Sequence, residues 1–273
     1  MTFQPLIPTG GYPGWLFLQR TLDQQAQAHA SAPAAQRDET YFRQTIGQID
    51  SARDLVNDRR LLRVSLAAFG LVDDLPNRAF VERVLDSPTD QRGSFVNRLT
   101  DKRYLELAAA FGFADMTGPR HRDPAFADRI LASFRERQFE AAVGQQDESM
   151  RLGLALERDL KRVAQGGQSE AAQWLRVIGT PSLRTVFETA YRLPSGFGAL
   201  DIDRQIGILR DRTQRAFGDP GLEQFADPEK RDLLTRRFFV GEQIGQIQAI
   251  STQQTALTLL QSAQAGMARM RAG

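Results

Sequence analysis

The chain has 273 residues, long enough for a sizeable core, with 41% hydrophobic and 25% charged residues, a soluble-protein balance. Thirty-five basic against 33 acidic residues leave a net charge of +2, a poor electrostatic footprint for nucleic acid or an anionic membrane. With no cysteine and only two histidines, disulfides, thiolate chemistry and imidazole-based metal sites are excluded or disfavoured, and neither a cofactor nor a metal is expected.

The opening "MTFQPLIPTGGYPGWLFLQRT" lacks the basic region, apolar core and small-residue cleavage site of a secretory signal. No apolar run is long enough for a membrane-spanning helix, so no membrane insertion is expected. Residues 1–36 carry only Arg20 and Asp23, and "GGYPG" and "ASAPAA" bracket a single weak helix, which reads as a loosely attached low-charge arm.

From residue 37 to 242 helical periodicity dominates and no alternating strand is evident. Ser51, with Asp54 three residues on, marks a capping box for one helix through "ARDLVNDRRLLRVSLAAF". Thr100 is the expected cap of "DKRYLELAAAF". Asp123-Pro124 opens a long segment with Phe126, Ile130 and Phe134 on one face, running past Gly144 straight or with a kink. Thr180-Pro181 and Asp227-Pro228 open further helices, with Leu183, Val186, Phe187 and Ala190 on one face of the first.

Ala-Phe-Gly occurs at 68–70, 110–112 and 216–218, each time at the end of an apolar stripe. A phenylalanine anchor followed by a left-handed glycine is a helix stop, and Leu71 or Phe113 next supplies the apolar contact of a Schellman-type ending. The basic pairs of the first two copies fall one residue out of register, which argues against a solenoid of fixed period. The expected fold is an all-α, irregular bundle of about ten helices with a long C-terminal helix.

Residues 243–268 contain no charged side chain. A helix unbroken from Pro228 to Met270 would be roughly 64 Å long at ~1.5 Å per residue, against a radius of gyration of about 18 Å for a compact chain of this size. It must therefore project, or break at Gly241 or Gly245. The division expected is 1–36 as the arm, 37–242 as the main helical domain and 243–273 as an uncharged Gln/Ala-rich helix. Ile244, Ile247, Ile250, Leu257, Leu260 and Met267 are the candidate interaction residues.

Catalytic chemistry finds little support. His29 has no acid or nucleophile beside it, His121 lies between arginines in a proline-flanked loop, and Gly-x-Ser-x-Gly does not occur. The carboxylates worth weighing are Glu136 and Glu140, Asp147 and Glu148, and Asp201 and Asp203. Each has a simpler reading, Glu136 and Glu140 as surface ion pairing, Asp147 or Ser149 as the cap of the next helix and Asp201 as the cap of the one after. Phe69, Phe111, Phe134, Phe187 and Phe217 read as core and not as base-stacking platforms.

Five stretches, "NDRRLLRVSLAAFGL", "TDKRYLELAAAFGF", "RQFEAAVGQQDESMRLGLALER", "GTPSLRTVFETAYRLPSGFGALDIDRQIGILRDRTQRAFG" and "FADPEKRDLLTRRFF", resemble an alphaproteobacterial family, domain of unknown function 1217, over roughly residues 40–240. The resemblance implies a mostly helical fold and association with flagellar gene clusters, and some relatives are labelled flagellar or basal-body rod proteins. It supplies no catalytic residues. The resulting expectation is a non-enzymatic, flagellum-associated structural or assembly protein whose helical termini engage a second copy or flagellar protein partners. It would be cytoplasmic, or exported to the flagellum without a cleavable signal peptide. The alternatives are a cytoplasmic adaptor or chaperone with an apolar groove near "RLPSGFGALDI", and a carboxylate-dependent hydrolase.

Overall fold

A computed structural model describes residues 3–164 and 169–248. The described residues form thirteen α-helices and no strand, an all-α fold. Their order begins α1 (Gly11–Ala30), α2 (Pro33–Thr45), α3 (Ala52–Asn57), α4 (Arg59–Ala68), α5 (Arg78–Leu85), α6 (Phe95–Arg98) and α7 (Arg103–Phe111). It continues with α8 (Phe126–Gly144), α9 (Glu148–Ala164), α10 (Glu170–Ile178), α11 (Pro181–Ala190), α12 (Ile202–Phe217) and α13, which occupies 228–248.

Two clusters of buried side chains hold the helices together. One gathers Phe42, Leu55, Leu61, Leu62, Leu66, Val81 and Phe111 from α2–α7. The other gathers Trp15 and Leu18 of α1 with α9–α13. Helix α8 serves both: Phe126, Ile130, Leu131 and Phe134 enter the first, Phe139 and Val143 the second. After Gly144 the chain turns through residues 145–147, and α9 returns along α8 as a hairpin, so the sequence there folds as two helices.

The local signals behave mostly as their chemistry requires. Ser51 and Asp54 form the capping box. It opens only α3, however, because Asp58 Oδ1 accepts from the amides of Arg60 and Leu61 and starts α4 afresh. Before α7 the capping oxygen belongs to Asp101, which accepts from Arg103 N at 3.0 Å, and not to Thr100. At Gly70 (φ +70) the amide of Leu71 donates to Leu66 O and that of Gly70 to Ala67 O, the paired bonds of a Schellman stop. Gly112 and Gly218 close α7 and α12 with the simpler single-bond ending, their amides donating to Ala108 O and Gln214 O.

The low-charge N-terminal segment docks into the body as α1 instead of hanging loosely. Trp15 is 2% exposed and Leu18 fully buried, and Tyr12 donates its hydroxyl to Asp232 of α13 at 3.0 Å. Neither Gly241 nor Gly245 breaks α13. A Cβ at Gly241 would collide with the Thr189 carbonyl, so this glycine lets α13 lie close against the end of α11.

Candidate interaction surface

The inner face of α13 is fixed in the core by Leu234, Thr235, Phe238 and Phe239, all buried, with Trp15 and Phe239 rings 5.5 Å apart. Its outer face is different. Leu233, Val240 and Ile247, seven residues apart, are 41%, 45% and 67% exposed, and half-buried Ile244 lies between the last two. Seven-residue spacing puts these side chains in one line down the helix. Of the six residues expected to carry interaction, Ile244 and Ile247 therefore fall on this stripe. Ile250, Leu257, Leu260 and Met267 lie outside the described residues.

Ile244 is a wall of two adjoining hollows. One, of about 290 Å³, runs along Leu233, Arg236, Val240 and Ala190. The other, of about 820 Å³, is bounded by Glu188, Leu193, Arg212, Glu242 and Gln246. Arg192 borders both. It is the non-glycine residue with positive φ (51°) among the described residues, at the position where α11 stops through Leu193 N to Glu188 O and Arg192 N to Thr189 O. A left-handed arginine costs about 1–2 kcal/mol, and strain of this kind concentrates at functional sites. Leu233, Val240 and Arg192 were not singled out in the sequence. The heptad spacing of the first two was visible there, but which face of the helix the core would take was not.

A groove of about 800 Å³ lies between α1, α8 and α9, with Leu22, Ala26, Phe139 and Leu154 as its apolar lining. Its rim mixes signs: Asp23, Glu136 and Glu157 alternate with Arg135, Arg158 and Lys161. The segment "RLPSGFGALDI", where a groove was expected, instead inserts Phe197 (2% exposed) into the core through a short 3-10 turn at Ser195–Ala199, and only its start borders a hollow.

Four of the six carboxylates weighed for catalysis are held in structural bonds, and the other two lie on the surface. Asp147 Oδ1 caps α9 by accepting from Ser149 N and Met150 N, and Asp201 Oδ1 caps α12 by accepting from Arg204 N. Glu148 pairs with Arg151 at 2.5 Å. Glu136 is exposed and Asp203 is exposed. Glu140 is not a surface ion pair: it is 4% exposed and bonded to Arg158. The neighbouring Asp159 is equally buried and bonded to Arg158 and Arg162 at 2.8 and 2.6 Å. Burial alone would raise the pKa of Asp159, but Arg158, Arg137 and Arg162 together hold it down at about 2. Such a carboxylate is an acceptor locked in its charged form, not an acid–base catalyst at neutral pH.

The histidines are packing residues. His29 lies between the rings of Phe3 and Phe139, at 6.2 and 6.0 Å, and burial lowers its pKa. His121 is 5% exposed against Phe113 and Phe126, its pKa lowered by burial and by Arg122. Among the described residues no helix is long and apolar enough to cross a membrane.

The model of a family described as "Protein of unknown function (DUF1217)" matches residues 68–230. The chain belongs to the DUF1217 family. The match spans α5–α12 entirely and begins and ends inside the helices α4 and α13 that flank them. This DUF1217 chain is also similar to the crystal structure of a structural-genomics target from Agrobacterium tumefaciens. The TM-score is 0.70 at 24% identity, covering 89% of this chain and 99% of that one. At that identity the likeness concerns the fold alone. No curated protein matches the chain.

Proposed function

We propose that this DUF1217 protein is a non-enzymatic, flagellum-associated structural or assembly protein that joins a second copy of itself through the outer face of α13. The observation that carries the proposal is the stripe Leu233, Val240, Ile244 and Ile247, apolar and open to solvent beside a strained Arg192. Each Å² of apolar surface removed from water contributes roughly 25 cal/mol, so the stripe gains by being covered. The occupant follows from charge. Beyond Glu242 the helix offers no side chain of either sign, and the sequence continues uncharged to Ala268. Past Glu242 a charged partner group would find no side chain of opposite sign on this helix, whereas the same uncharged segment from another copy can cover it without burying charge. The motif resemblance, with its implied flagellar gene clusters, supplies the setting.

Cell fractionation and deletion test the reading. The protein should appear with hook–basal bodies or in culture supernatant, and removing 243–273 should leave the body folded while motility is lost. Normal motility of the deletion strain would contradict the role given to the C-terminal helix.

One observation favours the second reading, a cytoplasmic adaptor for flagellar components: the groove between α1 and the α8–α9 hairpin, apolar inside and mixed in charge at its rim. Its occupant would be an amphipathic helix of a client, with its apolar face on Phe139 and Leu154. Strictly cytosolic protein would support this reading over the first.

A further inference from the structure

The two ends of the α13 stripe differ in charge. Between residues 228 and 237 stand the bases Lys230, Arg231, Arg236 and Arg237 against the acids Glu229 and Asp232, whereas from 238 to 248 Glu242 alone is charged. Lys230 and Arg231 are turned to other partners, Gln224 and Glu157, each at 3.1 Å. Arg236 and Arg237 are exposed and lie three or four residues from both Leu233 and Val240, so they flank the stripe directly. Their guanidiniums sit over the rings of Tyr12 and Phe217, at 5.8 and 5.7 Å. Asp232, one turn before Arg236, is turned to the Tyr12 hydroxyl, and Glu188, one turn before the equally exposed Arg192, is bonded to Arg184 at 2.7 Å.

Shape follows the same polarity. The hollow of about 290 Å³ opens at the arginine-bearing end, where Arg192, Arg236 and Arg237 border Leu233, Val240 and Ala190 with no acidic side chain in its wall. Its volume is ample for a branched aliphatic side chain. The most exposed member of the stripe, Ile247 at 67%, stands at the opposite end. Along the helix it is roughly 21 Å from Leu233, at ~1.5 Å per residue.

A twofold pair built on one helix face can run parallel or antiparallel. In a parallel pair Arg192, Arg236 and Arg237 of both copies would crowd around Leu233, hollow would face hollow, and Ile247 would meet only Ile247. We propose that two copies pair antiparallel about Val240, with Ile247 of each copy seated at the hollow beside Leu233 of the other, an inference that rests on the pairing proposed above. In this arrangement the uncharged end of one helix lies over the arginine-bearing end of its mate, and like charges are kept from direct juxtaposition. The two copies of Arg236 then stand roughly 12 Å apart along the axis at ~1.5 Å per residue, beyond the ~8 Å Debye length of physiological salt. The arginine stems extend the apolar wall of the hollow while their guanidiniums stay in water at its rim, so no charge is buried. An exposed aliphatic anchor entering a hollow is the form in which interface energy concentrates.

The test is disulfide trapping in the full chain, which has no cysteine of its own. Leu233→Cys, Val240→Cys and Ile247→Cys are made singly at exposed positions, with a tag on the Ile247→Cys chain so that mixed dimers separate on a non-reducing gel after mild oxidation. A disulfide requires Cα atoms within about 7 Å. Leu233→Cys mixed with Ile247→Cys should give the mixed dimer, and Val240→Cys should link to itself. Both should form roughly tenfold or more faster than the collisional dimer of Met116→Cys, a 92% exposed control. Leu233→Cys alone and Ile247→Cys alone should link no faster than that control. Rapid self-linking of both Leu233→Cys and Ile247→Cys would overturn the antiparallel orientation and leave the pairing itself standing. No linking above the control at any of the three positions, with a wild type that sediments as a monomer, would remove the pairing and the orientation with it.

Discussion

The indole of Trp15 in α1 occupies the space that a side chain at Gly153 in α9 would need; a Cβ there would lie 2.7 Å from the ring carbon Cζ3. This fit, with the Phe239 ring also packed against the indole and Met150 beside Gly14, secures the N-terminal helix to the body. Gly153→Ala should therefore destabilise the protein by about 1–3 kcal/mol through overpacking, despite alanine's better helix propensity. Trp15→Ala should cost about 3–5 kcal/mol. Urea unfolding of both variants checks the pair, and a stabilised Gly153→Ala would show that α1 is not packed in this way.

The two phenylalanines of the first two Ala-Phe-Gly stops differ in depth. Phe111 is fully buried between Phe113 and Phe126, with ring centroids at 5.6 and 5.1 Å. Phe69 is half-buried. Phe111→Ala should lower stability by about 3–5 kcal/mol, and Phe69→Ala by clearly less. Equal losses in thermal unfolding would contradict this ranking.

Much of this architecture was legible locally. Ser51, Asp147, Asp201 and the three stop glycines act within four residues of themselves, and the sequence order displays such bonds directly. Three features were not legible, each because a remote element decides it. Glu140 lies among Arg135 and Arg137 in sequence and looks like a surface pair, but Arg158 on the next helix claims it in the interior. Gly241 looks like a break until α11 is laid against it, when it becomes a point of close approach. Asp58 sits inside one continuous apolar periodicity, and only its bonds to the amides of Arg60 and Leu61 divide that run into α3 and α4. For the candidate surface, the apolar stripe was partly visible as Ile244 and Ile247, while Leu233 and Val240 emerged only once Phe238 and Phe239 had defined the buried side.

Arg192 carries backbone strain that glycine would not. Arg192→Gly relieves the left-handed penalty but adds conformational freedom to the unfolded chain, for a net gain of about 0.5–1 kcal/mol. Differential scanning calorimetry should show a raised Tm. A lowered Tm would mean that the arginine side chain itself stabilises the junction of α11 with α13.

Asp159 makes stability depend on acid. Its carboxyl would titrate near 3.8 in the unfolded chain and is held at about 2 in the folded one. A carboxylate depressed in this way contributes stability that is fully present above pH 3.8 and is lost as pH falls through 2, on the order of 2 kcal/mol. Asp159→Asn should lower stability at neutral pH and flatten the stability–pH profile between pH 4 and 2. An unchanged slope in chemical denaturation across that window would place the acid sensitivity elsewhere.

Pairing of α13 with its copy is most directly tested by sedimentation equilibrium of the full chain beside a variant with Leu233, Val240 and Ile247 all changed to Ser. These side chains are exposed, so the variant should keep the helical circular dichroism and melting of the wild type. The account requires wild-type mass to rise with concentration towards twice that of one chain, while the variant stays at the mass of one. A wild type that remains monomeric throughout, or a variant that associates as the wild type does, would contradict it.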